Sequence, residues 1–180
     1  SWTVIGKMED LDAASMTDVQ DWFKGNYGPN NTVLVLSGDI SPEEARKKVE
    51  QFYGAIPPGP PLAKHDAWIA KRTGTHRTVA QDRVPQTRIY RTWNVPGAHT
   101  PEEALLDLAA NVLGQGKTSR LYKRLVYKDQ LATSASASDD ASEIGGQFDI
   151  TLTARPGADV AKMERIADEE LRALMKGGPT

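Results

Sequence analysis

Apolar positions recur along this chain with two periods, and each predicts an element. Val19, Trp22, Phe23 and Tyr27 follow helical spacing, with Ser15 or Thr17 as the cap and the turn Gly28-Pro29-Asn30-Asn31 as the stop. Thr32-Val33-Leu34-Val35-Leu36-Ser37 is an unbroken run rich in branched residues between Asn31 and Gly38-Asp39, which predicts a strand buried on both faces. Ser41-Pro42-Glu43-Glu44 is a capping box, and the helix after it carries Ala45, Val49, Phe52 and Tyr53 on one stripe. Thr100-Pro101-Glu102-Glu103 opens another helix, over 101–113, whose stripe is Leu105, Leu108, Ala109 and Val112. A second helix of this pair is expected over 118–128, with strands around 77–81, 87–93, 132–138 and 147–154. In the last strand Phe148, Ile150, Leu152 and Ala154 share one face and Asp149, Thr151 and Thr153 the other. A closing helix carries Val160, Met163, Ala167, Leu171 and Leu174. Strand pairs separated by a helix pair predict an α+β fold: an antiparallel or mixed sheet with helices packed on one side.

Composition breaks this order once. Ile56-Pro57-Pro58-Gly59-Pro60-Pro61 holds four of the eleven prolines, and proline fixes φ and disfavours helix in the residue before it. A stiff linker over 57–74 is therefore expected between a partial first domain, 1–56, and a nearly complete second one, 75–180, truncated at its C-terminus. The opening Ser1-Trp2-Thr3 and the closing Lys176-Gly177-Gly178-Pro179-Thr180 are expected to be the ends of a segment of a longer protein.

Charge narrows the partners only by exclusion. Lys and Arg number 22 and Asp and Glu 24, a formal charge of -2, and neither sign gathers into a block suited to nucleic acid or an anionic membrane. No apolar run reaches the roughly 20 residues needed to cross a bilayer. Cysteine is absent, which excludes disulfides and thiolate metal sites without fixing a compartment.

The most informative stretch is Gly114-Gln115-Gly116-Lys117-Thr118-Ser119-Arg120-Leu121-Tyr122. It begins like a phosphate-binding loop, but that motif needs a Gly five residues before its Gly-Lys and a preceding buried strand. Asn111 stands there instead, and the preceding residues have helical spacing. Gly114 and Gly116 read as a helix end and a turn into the next helix.

Several segments taken together resemble the M16 (insulinase-like, mitochondrial-processing-peptidase-like) zinc metallopeptidases. Ile5-Gly6 with Met8-Glu9-Asp10-Leu11, then Asp21-Trp22-Phe23, Tyr27-Gly28-Pro29-Asn30-Asn31 and Val35-Leu36-Ser37-Gly38-Asp39-Ile40 are similar to the end of that family's metal-carrying domain. Phe52-Tyr53-Gly54-Ala55-Ile56-Pro57 resembles its exit to the interdomain linker, and Val112-Leu113-Gly114 with Gly116–Tyr122 resembles the helix pair of the next domain. The match corresponds to the region called the M16 inactive or C-terminal domain.

The resemblance implies two domains of the LuxS/MPP-like metallohydrolase fold in each half of the enzyme, with two halves, on one chain or on two, closing around an unfolded peptide. It implies zinc held by an inverted His-x-x-Glu-His helix and a distant Glu. That motif is missing here, and His65, His76 and His99 stand 11 or more residues apart without a Glu at helical spacing, so they read as ordinary surface or linker residues. No metal ligand and no catalytic residue is therefore assigned within this chain, and zinc is expected in the parent protein. Family members also carry an Arg seven positions before a Tyr beyond the glycine bend; aligned on Asp129-Gln130-Leu131, those positions are Val126 and Thr133.

Lys117, Ser119 and Arg120 are the candidate substrate contacts, against the plainer role of Thr118 or Ser119 as a helix cap. Asp139, Asp140 and Glu143 read as a hairpin turn before Gly145-Gly146, and Trp22, Trp68 and Trp93 as core or interface residues. The expectation is a non-metal-binding segment of an M16 zinc metalloendopeptidase that helps form the peptide chamber and is itself inactive. The alternative is a degenerate M16-like subunit acting as a binding or scaffolding partner. Partners expected are an unfolded peptide and the remaining M16 domains; the periplasm is expected on family grounds.

Overall fold

The computed structural model describes residues 4–64 and 66–179; His65, like Trp2, lies outside them. The chain divides into two compact units, 1–64 and 65–180.

The first unit holds three α-helices, α1 (Met8–Ala13), α2 (Met16–Asn26) and α3 (Pro42–Tyr53), and a 3-10 turn at Pro29–Asn31. Capping boxes start α2 and α3: Ser15 exchanges bonds with Asp18, and Ser41 with Glu44. Gly28 is the one buried residue among those described here. A side chain at Gly28 would meet the Gly59 backbone at 2.5 Å, because the proline-rich segment folds back on the 28–30 turn. Asn30 binds it there: Oδ1 accepts from Gly59 N at 2.7 Å, and Nδ2 donates to the carbonyls of Gly59 and Pro60 at 3.2 Å.

The strand expected at Thr32–Ser37 does not form. Val33 and Val35 are 89% and 80% exposed, because a doubly buried strand needs a paired neighbour on each edge, and the described residues of this unit contain no other strand. The aromatic stripe of α2 is also largely exposed; Trp22, Phe23 and Tyr27 pack on one another, with centroids 4.8–5.5 Å apart.

The second unit is an α+β layer pair. Strands β1 (Arg88–Val95), β2 (Ala132–Ala141) and β3 (Gly146–Ala154) form an antiparallel sheet in the order β1-β3-β2. Helices α4 (Pro101–Gly114) and α5 (Val160–Gly177) and a π-helix (Tyr122–Lys128) pack on one face. Between the layers lies the core: Leu113, Leu121 and Leu125 from the helix pair, Phe148, Ile150 and Leu152 from β3, and Met163, Ile166 and Ala167 from α5. Burial of this apolar surface, at about 25 cal/mol per Å2, is what holds the layers together.

Three expectations in this unit are corrected. Residues 77–81 form no strand; Arg77 instead pairs with Glu164 of α5 at 2.9 Å. The second member of the helix pair is a π-helix, closed by the Asp129 N–H donating to the Arg124 carbonyl at 2.9 Å, five residues back. On α4 the core stripe is Leu106, Ala110 and Leu113, whereas Leu105 and Leu108 are 66% and 62% exposed. This helix is apolar around most of its circumference, so periodicity alone could not choose between its two stripes. Trp22 and Trp68 are likewise exposed, while Trp93 packs on Phe148 at 6.2 Å and under the Arg91 guanidinium at 5.3 Å.

Candidate functional site

The face of the sheet away from the helices is open and almost wholly polar. In antiparallel strands opposed residues share a face, and the pairs on this side are Ser136 with Thr151, Ser138 with Asp149 and Asp140 with Gln147. The third strand adds Tyr90, Thr92 and Asn94 opposite Thr151, Asp149 and Gln147. Ser134, Ser136, Ser138 and Asp140 are exposed, and Thr92 donates its hydroxyl to Asp149. Hydroxyl, amide and carboxylate groups thus present donors and acceptors across three strands, with Tyr90 the one bulky side chain among them. The signal for this face stood in the sequence as the alternation of Ala135 and Ala137 with Ser134, Ser136 and Ser138, buried and exposed in turn.

The glycine bend belongs to the other layer. Gly114 ends α4 against β2, and Gly116 turns the chain with φ 74°. Ser119 is buried; its hydroxyl donates to the Gly116 carbonyl at 2.8 Å, and its own carbonyl accepts from Lys123 N at 3.0 Å. Arg120 is mostly buried and donates to Glu170 of α5 at 3.1 Å and to the Gly178 carbonyl at 3.5 Å. Lys117 is exposed. The structure therefore brings Ser119 and Arg120 into the frame of the bend and leaves Lys117 in solvent.

Electrostatics around the π-helix follow from one hydrogen bond. Arg124 donates to Asp129 at 2.7 Å, which raises the guanidinium pKa and lowers that of the carboxyl, and Glu169 and Glu170 lie within 4 Å of the same guanidinium. Val126 packs half-buried against the core, and Thr133 donates to the Thr153 carbonyl at 3.3 Å beside a bulge in β2, so neither position carries a cation or a phenol.

Asp139 and Asp140 prove to be strand residues, with Glu143 in the turn beyond them. Burial, then the charges of Asp107, Glu103 and Asp140, push the Asp139 carboxyl up, and among the described residues its Oδ1 has no hydrogen-bond partner. Among the described residues no three His, Asp or Glu side chains converge to hold a metal ion. His99 has φ 65° and donates its backbone N–H to Glu103 at 2.5 Å, holding the start of α4.

A family model described as the peptidase M16 inactive domain matches residues 13–180. The chain belongs to this family. The M16 relatives include the zinc protease PqqE of Helicobacter pylori, 25% identical over 184 residues that cover 98% of this chain and 40% of the relative. The chain thus spans well under half the length of that protein. The fold is also that of the peptidase M16 inactive domain from Pseudomonas fluorescens, with a TM-score of 0.76 and 23% identity over 99% of this chain and 43% of that one. It is similar at a TM-score of 0.63 to the periplasmic protease PqqL from Escherichia coli, with 16% identity over 98% of this chain and 20% of that one.

Proposed function

We propose that this chain is the non-metal-binding segment of an M16 zinc metalloendopeptidase, and that the open face of its sheet is one wall of the chamber that receives an unfolded peptide. The observation that carries the reading is the pairing of a helix-covered apolar face with an uncovered hydroxyl-lined one. An extended peptide offers a donor and an acceptor at every residue, and a surface of small polar groups can meet that backbone without selecting one side chain.

Zinc would belong to the parent protein, supplied outside this chain, since the donor set here does not fit it. Peptide-bond hydrolysis is accordingly assigned to the parent and not to this chain alone. The uncovered strand-like run 32–37 and the bare aromatic stripe of α2 support reading the first unit as the C-terminal part of a first LuxS/MPP-like domain, to be completed by other M16 domains of the same chain or of a paired subunit. At the glycine bend, in the layer behind that wall, the exposed Lys117 would reach a peptide only where it passes beyond the edge of the sheet, while Ser119 and Arg120 would hold the loop in place. A periplasmic location is supported by the likeness to a protease described as periplasmic.

The degenerate-subunit reading rests on Val126 and Thr133, which leave the family's cation and phenol positions empty. Photo-crosslinkers placed at Ser136 or Thr151, on the open face, and at Arg165, on the outer side of α5, separate wall from bystander. Capture of an unfolded peptide by the first two only is expected; equal capture at all three sites, or none, overturns the chamber reading. Peptide turnover by the repurified chain with added zinc would overturn its inactivity.

A further inference from the structure

A cleft of about 400 Å3 lies at one end of the open face. Its floor is the row Asn94, Gln147 and Asp140, one residue from each strand in register. Its rim is the segment around Trp68, strapped across that end of the sheet: the Trp68 N–H donates to the Ile144 carbonyl at 3.0 Å, and Asn94 donates to the Ala70 carbonyl at 2.8 Å. Trp68 is 64% exposed and Ile144 38%.

Four features of this cleft converge on one ligand chemistry. Trp68 gives an uncovered aromatic surface, and the face of an indole attracts cations. Asp140 is exposed and lines the cleft; one row along, outside the cleft, Asp149 is a second carboxylate that accepts from Thr92. Asn94 has spent an amide hydrogen on the strap, and the carbonyl oxygens of Asn94 and Gln147 can accept from a donor-rich group. No Lys or Arg lines the cleft, although Lys71 and Arg72 follow the strap. The cleft sets one carboxylate and two amide oxygens beside an apolar rim with one aromatic wall, which suits a group that is flat or compact, positively charged and rich in N–H, carried on an apolar stem.

We propose that this cleft is a subsite for the guanidinium or alkylammonium of a basic residue in a bound peptide, with Asp140 as counter-ion and Trp68 as stacking wall. That the group comes from a peptide rests on the chamber reading above; the preference for a cation rests on the cleft alone.

The test is a titration of the 180-residue chain with blocked tetrapeptides that differ only at one position, Arg, Lys, citrulline or norleucine, read by the indole N–H resonance of Trp68 and by the amide resonances of β1 to β3. The Arg and Lys peptides are expected to shift Trp68 saturably and to bind about tenfold more tightly than the other two. Asp140→Asn is expected to abolish that preference, and Trp68→Leu to weaken the Arg and Lys peptides while the fold, read from the amide spectrum, is kept. Equal affinity of the norleucine and Arg peptides, or an unchanged preference in Asp140→Asn, overturns the subsite. If all four peptides shift the open-face amides alike and leave Trp68 unmoved, the subsite fails and the chamber reading stands; if none shifts the open face, the chamber reading fails. Free butylguanidine binding as tightly as the Arg peptide would overturn the peptide origin of the cation.

Discussion

Gly114 sits so close to Ala137 that a Cβ on it would lie 2.0 Å from the Ala137 nitrogen and 2.5 Å from the Ser136 carbonyl carbon. The end of α4 therefore rests directly on the backbone of β2, and the first glycine of the bend is there for close approach. The second has a different reason, since a Cβ on Gly116 would meet nothing within 4 Å but its φ of 74° is left-handed. Gly114→Ala must push helix from sheet and is expected to cost about 3 kcal/mol or more, whereas Gly116→Ala carries only the left-handed penalty of about 1–2 kcal/mol. Urea unfolding of the two variants checks the order; equal losses would show that Gly114 is replaceable.

The Arg120–Glu170 pair joins the bend to α5 with both side chains at least three-quarters buried. Arg124 lies 3.8 Å from the same Glu170, so the three residues act as one network. Arg120→Ala is expected to destabilise by about 1–3 kcal/mol because it leaves a shielded carboxylate with only the longer contact to Arg124. In a double-mutant cycle with Glu170→Gln the losses should be non-additive. Additive losses, measured by thermal unfolding, would show that the pair contributes nothing as a pair.

Asp139 gives a pH dependence of definite sign. Its folded pKa is raised above 3.8, so between 3.8 and the folded value the native chain binds more protons than the unfolded chain. The stabilising contribution is present below that window and is lost as pH rises through the folded pKa. Asp139→Asn, which cannot ionise beside Asp107 and Glu103, is expected to raise the melting temperature at pH 7 and to lose that advantage near pH 4.

Asp129 has the opposite sign. Arg124 holds its carboxyl below the ordinary value, so its contribution is present above 3.8 and is lost as pH falls through the lowered folded pKa. Asp129→Asn is expected to cost about 1 kcal/mol at neutral pH and nothing in strong acid. Melting curves across pH for this variant and Asp139→Asn should diverge in opposite directions.

Asn30 makes three hydrogen bonds to the proline-rich segment. Asn30→Ala is expected to free Gly59 and Pro60, and limited proteolysis followed by mass spectrometry should then show faster cleavage near Gly59. Unchanged cleavage would mean the prolines alone hold the segment.

Local chemistry determined much of this protein from sequence alone. Ser15, Ser41 and Thr100 cap helices where their hydroxyls can reach orphan backbone N–H groups three residues on. The alternation in β3 separates Phe148, Ile150 and Leu152 from Asp149 and Thr151 because successive strand side chains point to opposite faces. The ordered motifs also identified the family, and the missing metal helix could be read directly. Tertiary structure decided what depends on neighbours. Val33 and Val35 have strand-like composition but, among the described residues, no strand beside them, and the choice between Leu105 and Leu113 on α4 was made by where the sheet lies. Likewise, the open polar face and its Trp68 cleft exist only because β1, distant in sequence, pairs with β3 and sets Asn94 in one row with Gln147 and Asp140. Caps and alternation are satisfied within a few residues, so sequence reveals them; burial, pairing and clefts require atoms from remote segments, and only the folded chain supplies those.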